Sequence, residues 1–233
     1  MLVRIARNLE STFMIDRLLL FLQNDHIELI KFLSSFYILK LFDRAIYKGK
    51  VVDLMLKKRD LHECHSLYNL ITDPAVFPYV RYKCQFYEQY LFITKQLIVE
   101  EQQGTCISRT ILNELGHPIG TIELYDIVNK TGFLATWMGA PFFGKGYNQR
   151  AKESFFTELF LEHNIETVFL KVRKQNIRSK KAVEKLSYAK LANAINHSIY
   201  KSINHGHQIY DLYQVERLDF LAYSKVIQHE LAT

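Results

Sequence analysis

The chain has 233 residues, 48% of them hydrophobic and 13% aromatic, with a net charge of +6. That composition can bury a core and excludes a disordered chain. The basic balance permits nucleic acid, anionic surfaces or acidic cofactors as partners. The cations are scattered, however, and the nearest approach to a cluster is Lys171, Arg173, Lys174, Arg178, Lys180 and Lys181. Most of that set is expected on a solvated face, with part of it turned toward phosphates.

Cys64, Cys84 and Cys106 are odd in number and match neither a disulfide framework nor a zinc spacing. They read as free thiols in a reducing compartment. The apolar run from Leu18 to Phe21 is too short for a signal peptide and follows Glu10 and Asp16. Lys31, Lys40 and Asp43 interrupt the only long apolar region, so no membrane span is expected. A cytoplasmic protein is expected.

Taken in chain order, residues 1–49 form an N-terminal helical extension. Apolar residues recur at helical spacing over 13–23 and 26–47, and Asn24-Asp25 supplies a turn and cap between them. The stripe is wide and must be buried, on its own domain, in a homodimer or partner surface through these helices, or on a membrane surface. Val51 to Lys58 reads as a first strand. Asp60 caps a helix running to about Ile71, Asp73-Pro74 ends it, and a second helix follows through Tyr87 to Glu100. Three strands come next: Gly104 to Leu112, Ile119 to Ile127 and Phe133 to Met138. Their turns are Gly116-His117-Pro118 and Asn129-Lys130-Thr131-Gly132. Beyond Gly146 the spacing of Ala151, Phe155, Phe156, Leu159 and Phe160 makes an amphipathic helix. Thr167 to Val172 is a buried strand, Asn176 to Leu186 a short helix, Tyr188 to Ala192 and Gln208 to Val215 extended segments, and 218–233 a closing helix. The pattern predicts an α/β (α+β) fold with helices on both faces of a mixed sheet. No internal repeat is present.

The stretch around Gly144-Lys145-Gly146 carries the chemistry. A strand, a glycine turn and a helix start follow one another there, and the first turn of a helix offers unpaired N–H groups at the positive end of its dipole. Glycines allow a phosphate close to that backbone. A Walker loop is excluded because Lys145 is followed by Gly146, and a dinucleotide fingerprint fails at Gln149 and Glu166.

Gly144, Lys145, Gly146, Tyr147 and Ala151, followed by Asn176, Ser179, Lys185, Leu186 and Tyr188, resemble the Gcn5-related N-acetyltransferase (GNAT) superfamily, in its RimJ/RimL-like branch. The resemblance covers residues 50–217. It implies a mostly antiparallel sheet with a parallel strand splay. It implies acetyl-CoA as co-substrate, with its pyrophosphate on the N–H groups of Phe143, Gly144, Lys145, Gly146, Tyr147 and Asn148. Pantetheine would lie in a splay between 135–139 and 167–172, touching Trp137, Met138 and Gly139. Asn176 and Ser179 would face the thiol end. Two positions depart from the pattern: Pro141 replaces a polar donor, and Ser187 replaces a glycine. Many members place a Tyr acid seven residues after the Asn, where this chain has Val183.

The implied reaction is direct acetyl transfer to a primary amine, on a protein N-terminus or a small molecule. Glu123 is the candidate base, with Ser179 and Asn176 at the sulfur side. Tyr125 and Tyr213 are candidates for the acceptor side. The +6 charge weighs against a strongly cationic acceptor. His197, His205 and His207 are expected as solvated turn residues, and no metal is expected. Nucleic acid and membrane are not expected partners. The alternative is a non-catalytic acyl-CoA-binding or partner-binding module.

Overall fold

The computed structural model describes residues 56–232, with side chains described through Ser224. They fall within one unit, Asp53–Thr233. The helices predicted over 13–23 and 26–47, and the start of the strand predicted from Val51, lie outside the described residues.

A short strand, β1 (Leu56–Lys58), comes first. Asp60 then caps a single three-ten turn, accepting the His62 N–H at 2.9 Å. Helix α1 (Cys64–Ile71) follows, so the helix predicted from Asp60 is two pieces. Helix α2 (Tyr87–Gln102) lies beyond the break at Asp73-Pro74. Strands β2 (Cys106–Leu112), β3 (Pro118–Val128) and β4 (Thr131–Met138) form the predicted antiparallel meander. Strand β2 begins at Cys106 rather than Gly104, because Gly104 turns the chain at a φ of 75°. The β3–β4 turn is Asn129-Lys130 alone, with φ of 49° and 62°. Two consecutive left-handed residues give the twist that a tight hairpin needs, so Thr131 and Gly132 belong to the strand.

The second half alternates helix and strand: α3 (Tyr147–Leu161), β5 (Thr167–Arg173), α4 (Ile177–Glu184), β6 (Ala189–Leu191), α5 (His197–Asn204), β7 (Tyr210–Glu216) and α6 (Arg217–Ala232). Helix α5 is not announced by the sequence pattern, and its N-cap Asn196 makes no side-chain cap bond. Strand β7 slots between β5 and β6, giving one seven-stranded sheet in the order β1-β2-β3-β4-β5-β7-β6. Every neighbouring pair is antiparallel except β4 and β5.

That parallel pair organises the molecule. It holds only at Thr131–Thr167, Gly132–Val168 and Phe133–Phe169. The strands then part, and 134–138 of β4 faces 170–173 of β5 across a gap. On its other edge β4 stays paired with β3 as far as Met138 opposite Gly120. Only glycine fits at 120, since a Cβ there would lie 2.3 Å from the Trp137 carbonyl oxygen.

Strand alternation divides the sheet into two faces. Ile122, Leu124, Leu134, Met138, Leu170 and Val172 join the main core with Phe155, Phe156 and Phe160 of α3 and Phe220 of α6. Full burial of each such side chain contributes about 1.5–3 kcal/mol. The other face carries Tyr125, Phe133, Ala135 and Trp137 against residues of α1 and α2. Buried Arg109 of β2 ties helices to the sheet, donating to Glu101 of α2 at 2.7 Å and to Glu158 of α3 at 2.9 Å. Cys64, Cys84 and Cys106 are all free and buried. No helix among the described residues is long and apolar enough to cross a membrane.

Candidate active site

The gap between β4 and β5 opens a cavity of about 620 Å³ that reaches both faces of the sheet. Its first end is the glycine turn. Gly144 and Gly146 stand at φ of 74° and 80°, in the left-handed region that other residues enter at a cost. Gly146 is the N-cap of α3 and has no side chain to cap it. The first backbone N–H of this segment with a protein acceptor is that of Arg150, which bonds Gly146 O at 3.2 Å. The N–H groups of Gly144 through Gln149 have no protein acceptor among the described residues. An array of free donors at a helix N-terminus suits an anion. The Phe143 N–H is not part of it, being bonded to Ala140 O at 3.1 Å. Tyr147 pins the turn: its hydroxyl donates to Glu114 at 2.6 Å and its ring packs edge-on to Phe142.

Cations surround this end. Arg178 lies 3.8 Å from the Phe143 ring centre, and Lys181 and Lys185 line the cavity beside it. Lys152, on the second turn of α3, is 6% exposed and lines the same space. No carboxylate among the described residues pairs with it, and burial pushes its pKa down to about 8. Of the basic set singled out in the sequence, Lys171, Arg173, Arg178 and Lys181 line the cavity. Lys174 and Lys180 instead reach Asp211, both at 3.8 Å.

In the gap itself, Trp137 and Met138 line one wall and Asn176 and Ser179 the other. Asn176 caps α4 by accepting the Ser179 N–H at 3.1 Å, which fixes both residues at the end of β5. The Thr136 hydroxyl oxygen is buried without a partner in the same stretch of β4. Gly139 and Lys145 do not line the cavity. The Gly139 N–H is taken by Ile119 O at 2.8 Å, and the Lys145 ammonium lies 5.9 Å from the Phe142 ring centre. Val183 is in the core, 1% exposed, so no side chain from that position reaches the gap.

The second end lies on the face covered by α1 and α2. Glu123 is 5% exposed, not solvent-facing, and it pairs with Arg81 at 3.1 Å. Burial raises its pKa above the ordinary carboxylate value, while Arg81 acts in the opposite direction. Arg81 also lies 3.4 Å from the centre of the Tyr125 ring. Tyr125 lines the cavity and is also part of a core cluster with Leu97 and Cys106. Tyr213 does not line the cavity: it is buried in the main core, with its hydroxyl 3.4 Å from Glu184. Among the described residues, one cluster has metal-ligand spacing, Glu158, Glu162 and His163, and Glu158 is held there by Arg109. His197 stacks on Tyr200, and His205 forms the left-handed cap of α5.

Among the lining residues that escape the sequence reading, three stand out. Arg81 sits in the irregular stretch between α1 and α2, where no periodicity marks it. Thr136 looks like any strand threonine. Lys152 did leave a signal, since it lies four before Phe156 and three before Phe155 on the apolar stripe of α3.

The comparisons agree with this architecture. The model of the acetyltransferase (GNAT) domain matches residues 53–188. No curated protein sequence matches. Among solved structures, the chain resembles FdhC, a nucleotide-linked sugar GNAT in its apo form. The TM-score is 0.61 and the identity 14%, over 77% of this chain and 94% of that one. It resembles a RimL ribosomal-protein alpha-N-acetyltransferase in complex with coenzyme A (TM-score 0.58, 15% identity, 72% and 95% covered). It also resembles a chimera of the spermidine N-acetyltransferase SpeG from Vibrio cholerae and hSSAT (TM-score 0.56, 16% identity, 72% and 98% covered). At these identities the neighbours speak for the fold, while the domain match spans more than half of the chain. The chain belongs to the GNAT acetyltransferase family.

Proposed function

We propose that this protein transfers an acetyl group from acetyl-CoA directly to a primary amine. The observation that carries the reading is the run of unclaimed N–H donors from Gly144 to Gln149, opening on a cavity with a buried carboxylate at its other end. The donor set fits the group: free backbone amides and nearby Arg178, Lys181 and Lys152 suit a pyrophosphate. The unpartnered Thr136 hydroxyl and the open edge of β4 from Ala135 to Met138 suit the amides of pantetheine.

Acetyl-CoA supplies an activated thioester carbonyl. The chain's own residues do the rest. A backbone N–H near Met138 polarises the carbonyl oxygen. Glu123, directly or through a water, takes the proton of the acceptor ammonium so that a neutral amine attacks. Its raised pKa makes it a better base than an exposed carboxylate. Asn176 positions the start of α4, and the Ser179 hydroxyl meets the departing thiolate. Arg81 holds Glu123 in place.

The solved neighbours are named for acceptors as different as spermidine, a ribosomal protein and a nucleotide-linked sugar, consistent with an amine acceptor here. A cytoplasmic site of action accords with three free, buried cysteines. Acetyl-CoA consumption measured across a panel of amines tests the proposal. Turnover with any of them supports it. Tight acetyl-CoA binding with no turnover on any amine would favour the non-catalytic binding module instead, for which the absent tyrosine at Val183 speaks.

A further inference from the structure

The lining of the cavity holds eight cations and one carboxylate, Glu123. The cations fall into two groups. Arg178, Lys181, Lys185 and Lys152 belong to α3, α4 and its end, beside the free amides of the glycine turn, and a phosphate-bearing co-substrate accounts for them. Arg59, Arg81, Lys171 and Arg173 do not share that end. Strand alternation puts Lys171 and Arg173 on the α1–α2 face, opposite to Leu170 and Val172.

Arg81, Lys171 and Arg173 converge on two tyrosine rings. Lys171 Nζ lies 5.6 Å from the centre of Tyr125 and 6.0 Å from that of Tyr210. The Arg173 guanidinium lies 5.8 Å from Tyr210, and Arg81 lies 3.4 Å from Tyr125. Arg81 spends its charge on Glu123. Arg59 donates to the Tyr90 and Thr94 hydroxyls, and its Nε is buried without a partner. Lys171 and Arg173 have no carboxylate at ion-pair distance among the described residues, whereas nearby Lys174 and Lys180 share Asp211. Burial, Arg81 and Arg173 all disfavour the charge on Lys171, and Asp126 alone favours it. Two cations without an ion pair, in a cavity whose lining carboxylate is already paired with Arg81, disfavour a polyamine. They attract an anion to this end of the cavity, where both side chains are exposed.

We propose that the acceptor is a primary amine that itself carries a carboxylate or a phosphate, with that anion on Lys171 and Arg173 and the amine toward Glu123. This rests on the acetyltransferase reading above. Matched pairs test it: an amino acid against its amide, a phosphorylated amino sugar against the unphosphorylated sugar, and spermidine as the cationic control. Acetyl-CoA consumption gives kcat and KM, and calorimetry on the CoA-saturated protein gives acceptor binding.

The anionic member of at least one pair is expected to be preferred by about tenfold or more, a difference of about 1.4 kcal/mol. The pair that responds tells carboxylate from phosphate. Lys171→Met and Arg173→Met are each expected to abolish the preference through KM, with acetyl-CoA affinity unchanged and the unfolding temperature not lowered. Equal use of charged and uncharged members, a preference for spermidine, or a preference that survives both substitutions would overturn the inference. If no amine turns over, binding decides, and equal binding of charged and uncharged members overturns it. Failure of folded protein to bind acetyl-CoA is a separate result, which removes the acetyltransferase reading itself.

Discussion

The two ends of the cavity are made of different material. At the glycine turn the working groups are backbone N–H donors, held by two left-handed glycines and the start of α3. At the other end they are side chains, with Glu123 from β3, Arg81 from the α1–α2 loop, and Lys171 and Arg173 from β5. Backbone donors serve any side-chain sequence that keeps the turn, so that end suits a constant co-substrate. A side-chain end can be rewritten residue by residue, so it suits a variable acceptor.

This contrast can be broken most forcefully at Glu123. Glu123→Gln is expected to lower kcat by about 100- to 10,000-fold while leaving acetyl-CoA affinity unchanged. A carboxylate base works only when deprotonated, so with Glu123 in that role kcat/KM for the wild type is expected to rise with pH. Because the folded carboxyl titrates above its ordinary value of 4.5, that rise lies above 4.5. The rise should vanish in the Gln variant, and a variant with the wild-type pH profile would remove Glu123 from the mechanism.

Lys152 sharpens the opposite end. Its pKa drops from 10.5 to about 8 on folding, so the folded state binds this proton less tightly than the unfolded chain. The cost is full below pH 8 and fades as pH rises toward 10.5. It amounts to about 3 kcal/mol. Lys152→Met is therefore expected to raise the unfolding temperature of the free protein at pH 7 and to weaken acetyl-CoA binding. A variant that is more stable and binds equally well would show that this ammonium does not meet phosphate.

Gly120 tests whether the shape of the gap matters. Gly120→Ala drives a methyl into the Trp137 carbonyl, and about 1–3 kcal/mol of stability should be lost as β3 and β4 shift. Smallest of all is Lys180→Ala. Its pair with Asp211 is half-exposed, so chemical denaturation should change by about 0.5 kcal/mol or less, with no change in acetyl-CoA affinity.

The same contrast explains what the sequence makes legible. Gly144, Gly146, Asn176 and Ser179 are placed by local backbone geometry, and local geometry leaves a motif at fixed spacing. The strands of the meander and the stripe of α3 are legible for the same reason. The acceptor end depends on residues far apart in the chain, such as Arg81 and Glu123, 42 positions apart. Alternation places Glu123 and Tyr125 on one face, but which face α1 and α2 cover is a matter of packing, so Glu123 reads as equally well exposed. Tyr213 follows the same logic in reverse. Its alternation is correct, yet β7 enters beside β5 and turns it into the core. The hairpin at Asn129-Lys130 reads two residues too long because Thr131 and Gly132 are themselves good turn formers.

The central claim is that the glycine turn holds acetyl-CoA. Calorimetric titration of acetyl-CoA into wild-type protein and into a Gly144→Asp, Gly146→Asp double variant tests it most directly, with circular dichroism confirming that both are folded. The account predicts wild-type binding that is lost in the variant, where carboxylates face the pyrophosphate and positive φ is strained. Undiminished binding by the folded variant, or none by the folded wild type, would contradict it.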